Sequence, residues 1–186
     1  MRELLKLSSI LATVCAICAA LLVYVDMLTQ APREASGSQK RSQAARSVLP
    51  SFTDENAELR GLENGAFLLT DRTSGEFLGA AIEGSSTHGY GGNLRLIVGF
   101  DAKNNVVDFA VLESHETPGL GAKVSDEKFR AAFRGRPSNC SKMHVKKDGG
   151  DVDAITSATI SSRAACEAVA DAASKLEAVR KEALQK

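Results

Sequence analysis

The sequence predicts an α+β fold: a single N-terminal transmembrane helix, then one domain in which an antiparallel sheet packs with helices. Three observations lead there. Residues 7–25 carry no charge, four apolar stretches with turn signals between them follow one another from 66 to 113, and helical periodicity dominates only later. Strands grouped together with helices segregated behind them define this architecture.

The uncharged run "LSSILATVCAICAALLVYV" is 19 residues long. As a helix rising about 1.5 Å per residue it matches the roughly 30 Å hydrocarbon layer. A cleaved signal peptide has a shorter apolar region and a small-x-small cleavage site, and "DMLTQAPREA" after Val25 offers none. The expectation is an uncleaved anchor over residues 1–29. Arg2 and Lys6 precede the run, and Arg33, Lys40, Arg41 and Arg46 follow it. Taken literally, that count points the domain to the cytoplasm, on a weak signal. Cys15 and Cys18 form a CxxC with no second pair or nearby His to complete a redox or metal site, and read as small apolar residues. Cys140 and Cys166 stand alone; they can pair in an oxidising compartment, but nothing in their spacing requires it.

Residues 30–47, polar and rich in Ser, Ala and Gln, fit a juxtamembrane linker or an exposed helical stalk. The compact domain is expected over 48–186. Its strands are predicted at 66–71, 76–83, 94–100 and 106–113, with "RTSG", "HGYGG" and "DAKNN" as the turns of a meander. "SDEKFRAAFRG" reads as a short helix, with Ser125 as cap, Phe129, Ala132 and Phe133 as its apolar face and Gly135 as its stop. "MHVKKDGGD" reads as a strand entering a glycine turn. In the last helix Ala165, Val169, Ala172, Leu176, Val179 and Ala183 form one apolar stripe.

Lys plus Arg and Asp plus Glu stand at 23 each, which argues against a nucleic-acid binder, since such a protein shows a basic excess. His88 and His144 lack companions at metal-ligand spacing. Dinucleotide fingerprints and iron–sulfur spacings are absent.

Two stretches carry chemistry. "TSATISS" places Thr156, Ser157, Thr159, Ser161 and Ser162 before an alanine-rich helix, where one hydroxyl suffices as a cap. A helix start offers unpaired amides and partial positive charge, a natural phosphate site. Lys146 and Lys147 add charge if the Gly149-Gly150 turn folds back. The alternative is an over-furnished cap with solvent-facing serines. "ESHETPGLGAKV" sets Pro118, Gly119 and Gly121 around Leu120, a rigid-then-flexible loop that lets backbone approach a flat ligand; an ordinary Pro-Gly turn is the alternative. His115 and Glu116 read as a polar loop edge more readily than as a catalytic pair.

These residues resemble a known family. "DAITSATISS" is similar to the flavinylation motif D-x-x-[ST]-G-A-[ST] of the FMN-binding domains in RnfG and its relative NqrC. "VKKDGGDVDAIT", "HETPGLGAK" and "GYGGNLRLIVGFD" look like the RnfG branch, and the resemblance runs from about Val48 into the last helix. It implies FMN joined through its phosphate to the hydroxyl of Thr159, with Asp153, Thr156 and Ala158 at the other motif positions. It also implies cofactor contacts from Glu116, Thr117, Pro118, Gly119, Leu120, Gly121, Tyr90 and Lys146. Ser157 stands where the motif has Gly; if that position needs a positive φ, Ser costs roughly 1–2 kcal/mol there.

The implied role is the electron-transfer subunit of an Rnf-type complex, which passes electrons between ferredoxin and NAD while moving Na⁺ or H⁺. No residue need act as a catalytic acid or base, and ferredoxin and NAD contacts fall to other subunits. Maturation falls to a separate flavin transferase working with Mg²⁺. The domain is expected on the periplasmic face of the bacterial inner membrane, against the literal charge count. Two other readings stand beside this one: an unflavinylated structural subunit, and a stand-alone extracytoplasmic flavoprotein.

Overall fold

A computed structural model describes residues 2–49, 57–62 and 65–184. It divides into two units, Met1–Lys40 and Arg41–Lys186. The first is helical throughout its described residues, part of α1 (Arg2–Val48). Leu11, Val14, Ile17, Leu21 and Leu22 are all more than half exposed along it. Among the described residues no helix is long and apolar enough to cross a membrane. The expected span at 7–25 lies within α1, but the side chains of 7–10 fall outside the described residues.

The second unit is built on a five-stranded antiparallel meander in the order β1 (Ala57–Gly61), β2 (Phe67–Asp71), β3 (Phe77–Gly89), β4 (Gly92–Asp101) and β5 (Val106–Ser114). All four expected strands are present. The first strand was not anticipated: "AELRG" is a short, mostly exposed edge with little apolar alternation to reveal it. The third runs six residues past its expected end, through "GSSTHG". Small polar residues suit it there because the final helix, α3 (Thr159–Leu184), lies across them. The Ser85 amide donates to Asp171, the Ser86 hydroxyl to Glu167 at 2.7 Å, and His88 Nδ1 lies 2.8 Å from the same carboxylate. A Cβ at Gly84 would collide with the Ala168 carbonyl and the Ala172 backbone. Glycine here lets α3 lie directly on the sheet.

Alternation along β4 sorts the core into two layers. Leu94, Leu96, Val98 and Phe100 face α3, with Ala80, Ile82, Val169, Ala172 and Leu176. Ile97 faces the other way, with Leu69, Ala81 and the end of α1 through Ala45, Val48 and Leu49. Burying each such branched side chain contributes about 1.5–3 kcal/mol. The expected stripe on α3 is buried from Ala165 to Val179; the Ala183 side chain lies outside the described residues.

Two local expectations are corrected. The short helix α2 covers only Glu127–Arg130, and its N-cap is Asp126, not Ser125. Ser125 ends a preceding 3-10 turn and donates back to the Ala122 carbonyl. Gly135, with φ 72°, does close the segment. "MHVKKDGGD" is not a strand. It forms one parallel bridge, Val145 to Val152, around a 3-10 turn at Lys146–Asp148 that Gly149 ends with φ 83°. The Lys146 amide is spent on the Val152 carbonyl at 2.8 Å, which folds the segment onto itself instead of into the sheet. Cys140 and Cys166 are unpaired. Burial pushes the Cys166 thiol up to about 12, so it is inert as a nucleophile at neutral pH.

Candidate functional site

The start of α3 is shaped by a tight turn. The Ala158 amide donates to the Ile155 carbonyl at 2.9 Å, which leaves Thr156 and Ser157 as its two central residues. The second central position of such a turn often needs a positive φ, and Ser157 has φ 62°. Ser162 locks the turn from inside the helix: its hydroxyl accepts from the Ile155 amide and donates to the Ala158 carbonyl, both at 2.9 Å. The Ser162 amide also donates to Ala158. That carbonyl thus begins the helix, and the N-cap position holds an alanine. An alanine has no oxygen to offer the first-turn amides of Thr159, Ile160 and Ser161. The capping bonds belong to Ser162, which leaves the half-buried Thr159 hydroxyl outside them.

The second loop leaves β5 at Ser114, whose hydroxyl accepts from the Glu116 amide. Leu120 and Ala122 both donate to the Thr117 carbonyl, and Gly119 has φ 78°. A side chain at Gly91 would collide with the His115 carbonyl, so the tip of the β3–β4 hairpin lies against this loop with Tyr90 projecting beside it.

The two loops and the hairpin tip enclose a cleft of about 500 Å³ lined by Tyr90, Glu116, Thr117, Leu120, Gly121 and residues 157–161. This size is within the usual range for small-molecule sites. Eight residues singled out from the sequence line it: Tyr90, Glu116, Thr117, Leu120, Gly121, Ser157, Ala158 and Thr159. Asp153, Thr156, Pro118, Gly119 and Lys146 are not among the lining residues. Lys146 Nζ instead pairs with the Asp153 carboxylate at 2.7 Å, in solvent. Arg163, one turn into α3, is held by Asp148 through two bonds of 2.7 Å.

The cleft has an apolar mouth and a polar floor. The exposed large hydrophobic residues fall into two groups. One lies on α1; the other is Tyr90 at 72%, Ile160 at 47% and Leu120 at 42%, all lining this cleft. On the floor Glu116 is only 8% exposed. Its Oε2 accepts from the Ser161 hydroxyl at 2.7 Å, while Oε1 is buried with no hydrogen-bond partner. Ser161 and Ile160 were not singled out as contacts from the sequence. Ser161 belongs to the hydroxyl cluster, but its partner stands 45 positions away in the chain. Among the described residues no group of three or more His, Cys, Asp or Glu is arranged to hold a metal.

The features of this cleft suit a phosphorylated ligand with a flat apolar head. The first-turn amides of α3 are free for an anion, the mouth is apolar, and the buried acceptor on the floor awaits a donor. Residues 89–174, which contain every residue lining the cleft, match the family model of the FMN-binding domain. The domain that carries the cleft belongs to that family. Among curated proteins the chain is similar to the RnfG component of the ion-translocating oxidoreductase complex. Identity is 29% with the Shewanella piezotolerans protein, over 90% of this chain and 87% of the relative. It is 36% with that of Shewanella amazonensis, over 61% and 55%, and 43% with that of Aliivibrio fischeri, over 52% and 48%. In the last two the chain spans about half the relative's length. Among solved structures, Shewanella oneidensis NqrC aligns over 73% of each chain at 19% identity and a TM-score of 0.46.

Proposed function

We propose that the chain is the electron-transfer subunit of an Rnf-type membrane complex, carrying FMN esterified through its phosphate to the Thr159 hydroxyl. The observation that carries this reading is the position of Thr159: the first residue of α3, in the cleft, at a helix start whose N-cap side chain accepts nothing. Bound FMN supplies the redox chemistry. The chain's own residues provide the site. The first-turn amides and the helix dipole stabilise the phosphate charge, and Tyr90, Leu120 and Ile160 offer apolar surface to the ring. Covalent attachment makes occupancy independent of free-cofactor concentration, which suits a cleft this open.

The relatives named as components of an ion-translocating complex support membership of such an assembly. The charge-free run in α1 supports a single anchor, with the domain on the periplasmic side and maturation by a flavin transferase. Ferredoxin and NAD are contacted by other subunits. One observation favours a second reading, an unflavinylated structural subunit: Ser157 occupies a left-handed position where the flavinylation motif has Gly.

The test is in-gel flavin fluorescence after full denaturation, with intact mass, on protein made with its cognate flavin transferase. The expected result is a fluorescent band and a mass gain of one FMN less one water, both lost in Thr159→Ala. A dark wild-type band, beside a transferase shown active on another substrate, overturns the covalent assignment.

A further inference from the structure

We infer that Glu116 is the residue that grips the ribityl chain of the flavin, its Oε1 accepting a hydrogen bond from a ribityl hydroxyl. The inference rests on the FMN reading above and assigns one atom within it. A buried carboxylate oxygen without a donor is costly and rare in a folded protein, and Glu116 Oε1 is one of two such side-chain atoms among the described residues. Its companion Oε2 is satisfied by Ser161, so the orphan is not a misplaced side chain. The fold makes room for this carboxylate on two sides. A Cβ at Gly89 would come within 2.6 Å of Oε1, and one at Gly121 would collide with both Oε2 and Ser161 Oγ.

The chemistry of FMN selects among its donors. Its phosphate is anionic and belongs with the amides of α3, not beside a carboxylate. Its ring has flat apolar faces that match the exposed mouth at Tyr90, Leu120 and Ile160. Between ring and phosphate lies the ribityl chain, whose hydroxyls are donors. Glu116 lies between the corresponding parts of the cleft: on the floor, tied to Ser161 two residues past Thr159. Through that Ser161 bond it also couples the ligand to the first turn of α3. Glu116 is therefore a binding residue for the ribityl chain and a positioning residue for the helix start.

The test titrates full-length apo-protein with FMN and with lumiflavin, which keeps the ring but lacks the ribityl phosphate, for wild type and Glu116→Gln. Gln keeps the shape but has one acceptor oxygen, so Ser161 and the ligand cannot both be served. The expected result is FMN binding weakened about ten- to a hundredfold, lumiflavin binding unchanged, and an unaltered melting temperature without ligand. Equal FMN affinity in both proteins overturns the inference and leaves the FMN reading standing. A parallel loss for lumiflavin places the donor on the ring and overturns the ribityl assignment. No FMN binding by wild type, apo or matured, overturns both.

Discussion

Ser157→Gly should stabilise this protein, against the usual direction for a glycine substitution. Ser157 is exposed and holds φ 62°, a region that costs a residue with a Cβ about 1–2 kcal/mol. Glycine enters it freely, but the more mobile unfolded chain takes back about 0.4–1 kcal/mol. The difference is a net gain of about 1 kcal/mol, or about 3–4 °C in melting temperature for a domain of this size. Urea unfolding of the full chain measures it as a higher midpoint at unchanged slope. Ser157→Ala is the control: it removes the hydroxyl and keeps the strained Cβ, so it should gain nothing. If Gly and Ala shift the midpoint equally, the hydroxyl and not the backbone is responsible, and the strain argument fails. The same relief should raise the yield of flavinylated protein in a fixed maturation time, because the turn sets the position of Thr159.

Other outcomes follow from the packing and the charges. Gly84→Ala drives a Cβ into the Ala168 carbonyl and should cost about 3 kcal/mol, the upper end of overpacking; a midpoint shift under a third of that would mean α3 rides easily off the sheet. The hydrogen bond from Ser86, then the His88 contact, holds Glu167 below the usual carboxylate range, and the Arg163 bonds do the same for Asp148. Depressed folded-state values stabilise above the ordinary carboxylate range, near pH 4, and the gain is lost as pH falls through the lowered values. Stability should thus decline on acidification below about pH 4, and Asp148→Asn should flatten part of that decline. Cys166 should resist iodoacetamide at pH 8 in the native protein and react in urea, read by peptide mass; native labelling would show that α3 opens readily.

Much of this molecule was legible in its sequence because the signals are local. Turn residues between apolar runs marked β2 to β5, a four-and-three stripe marked α3, and two short motifs marked the loops that line the cleft. Each depends on neighbours within a few positions, where chain geometry leaves few choices. The tertiary structure decided what depends on distant partners. β1 is a strand because β2 pairs with it, and "GSSTHG" is strand because α3 supplies acceptors for its amides and hydroxyls. The end of α1 became core because Ile97 and Ala81 needed cover on the second face of the sheet. Two facts that matter most to the site belong to this second kind. Ser157 alone does not reveal its φ, since the Ile155–Ala158 turn and the Ser162 bond impose it. Glu116 does not reveal its solitary oxygen, since burial and the choice of partner are set by Gly89, Gly121 and Ser161, brought together only when the sheet and α3 close.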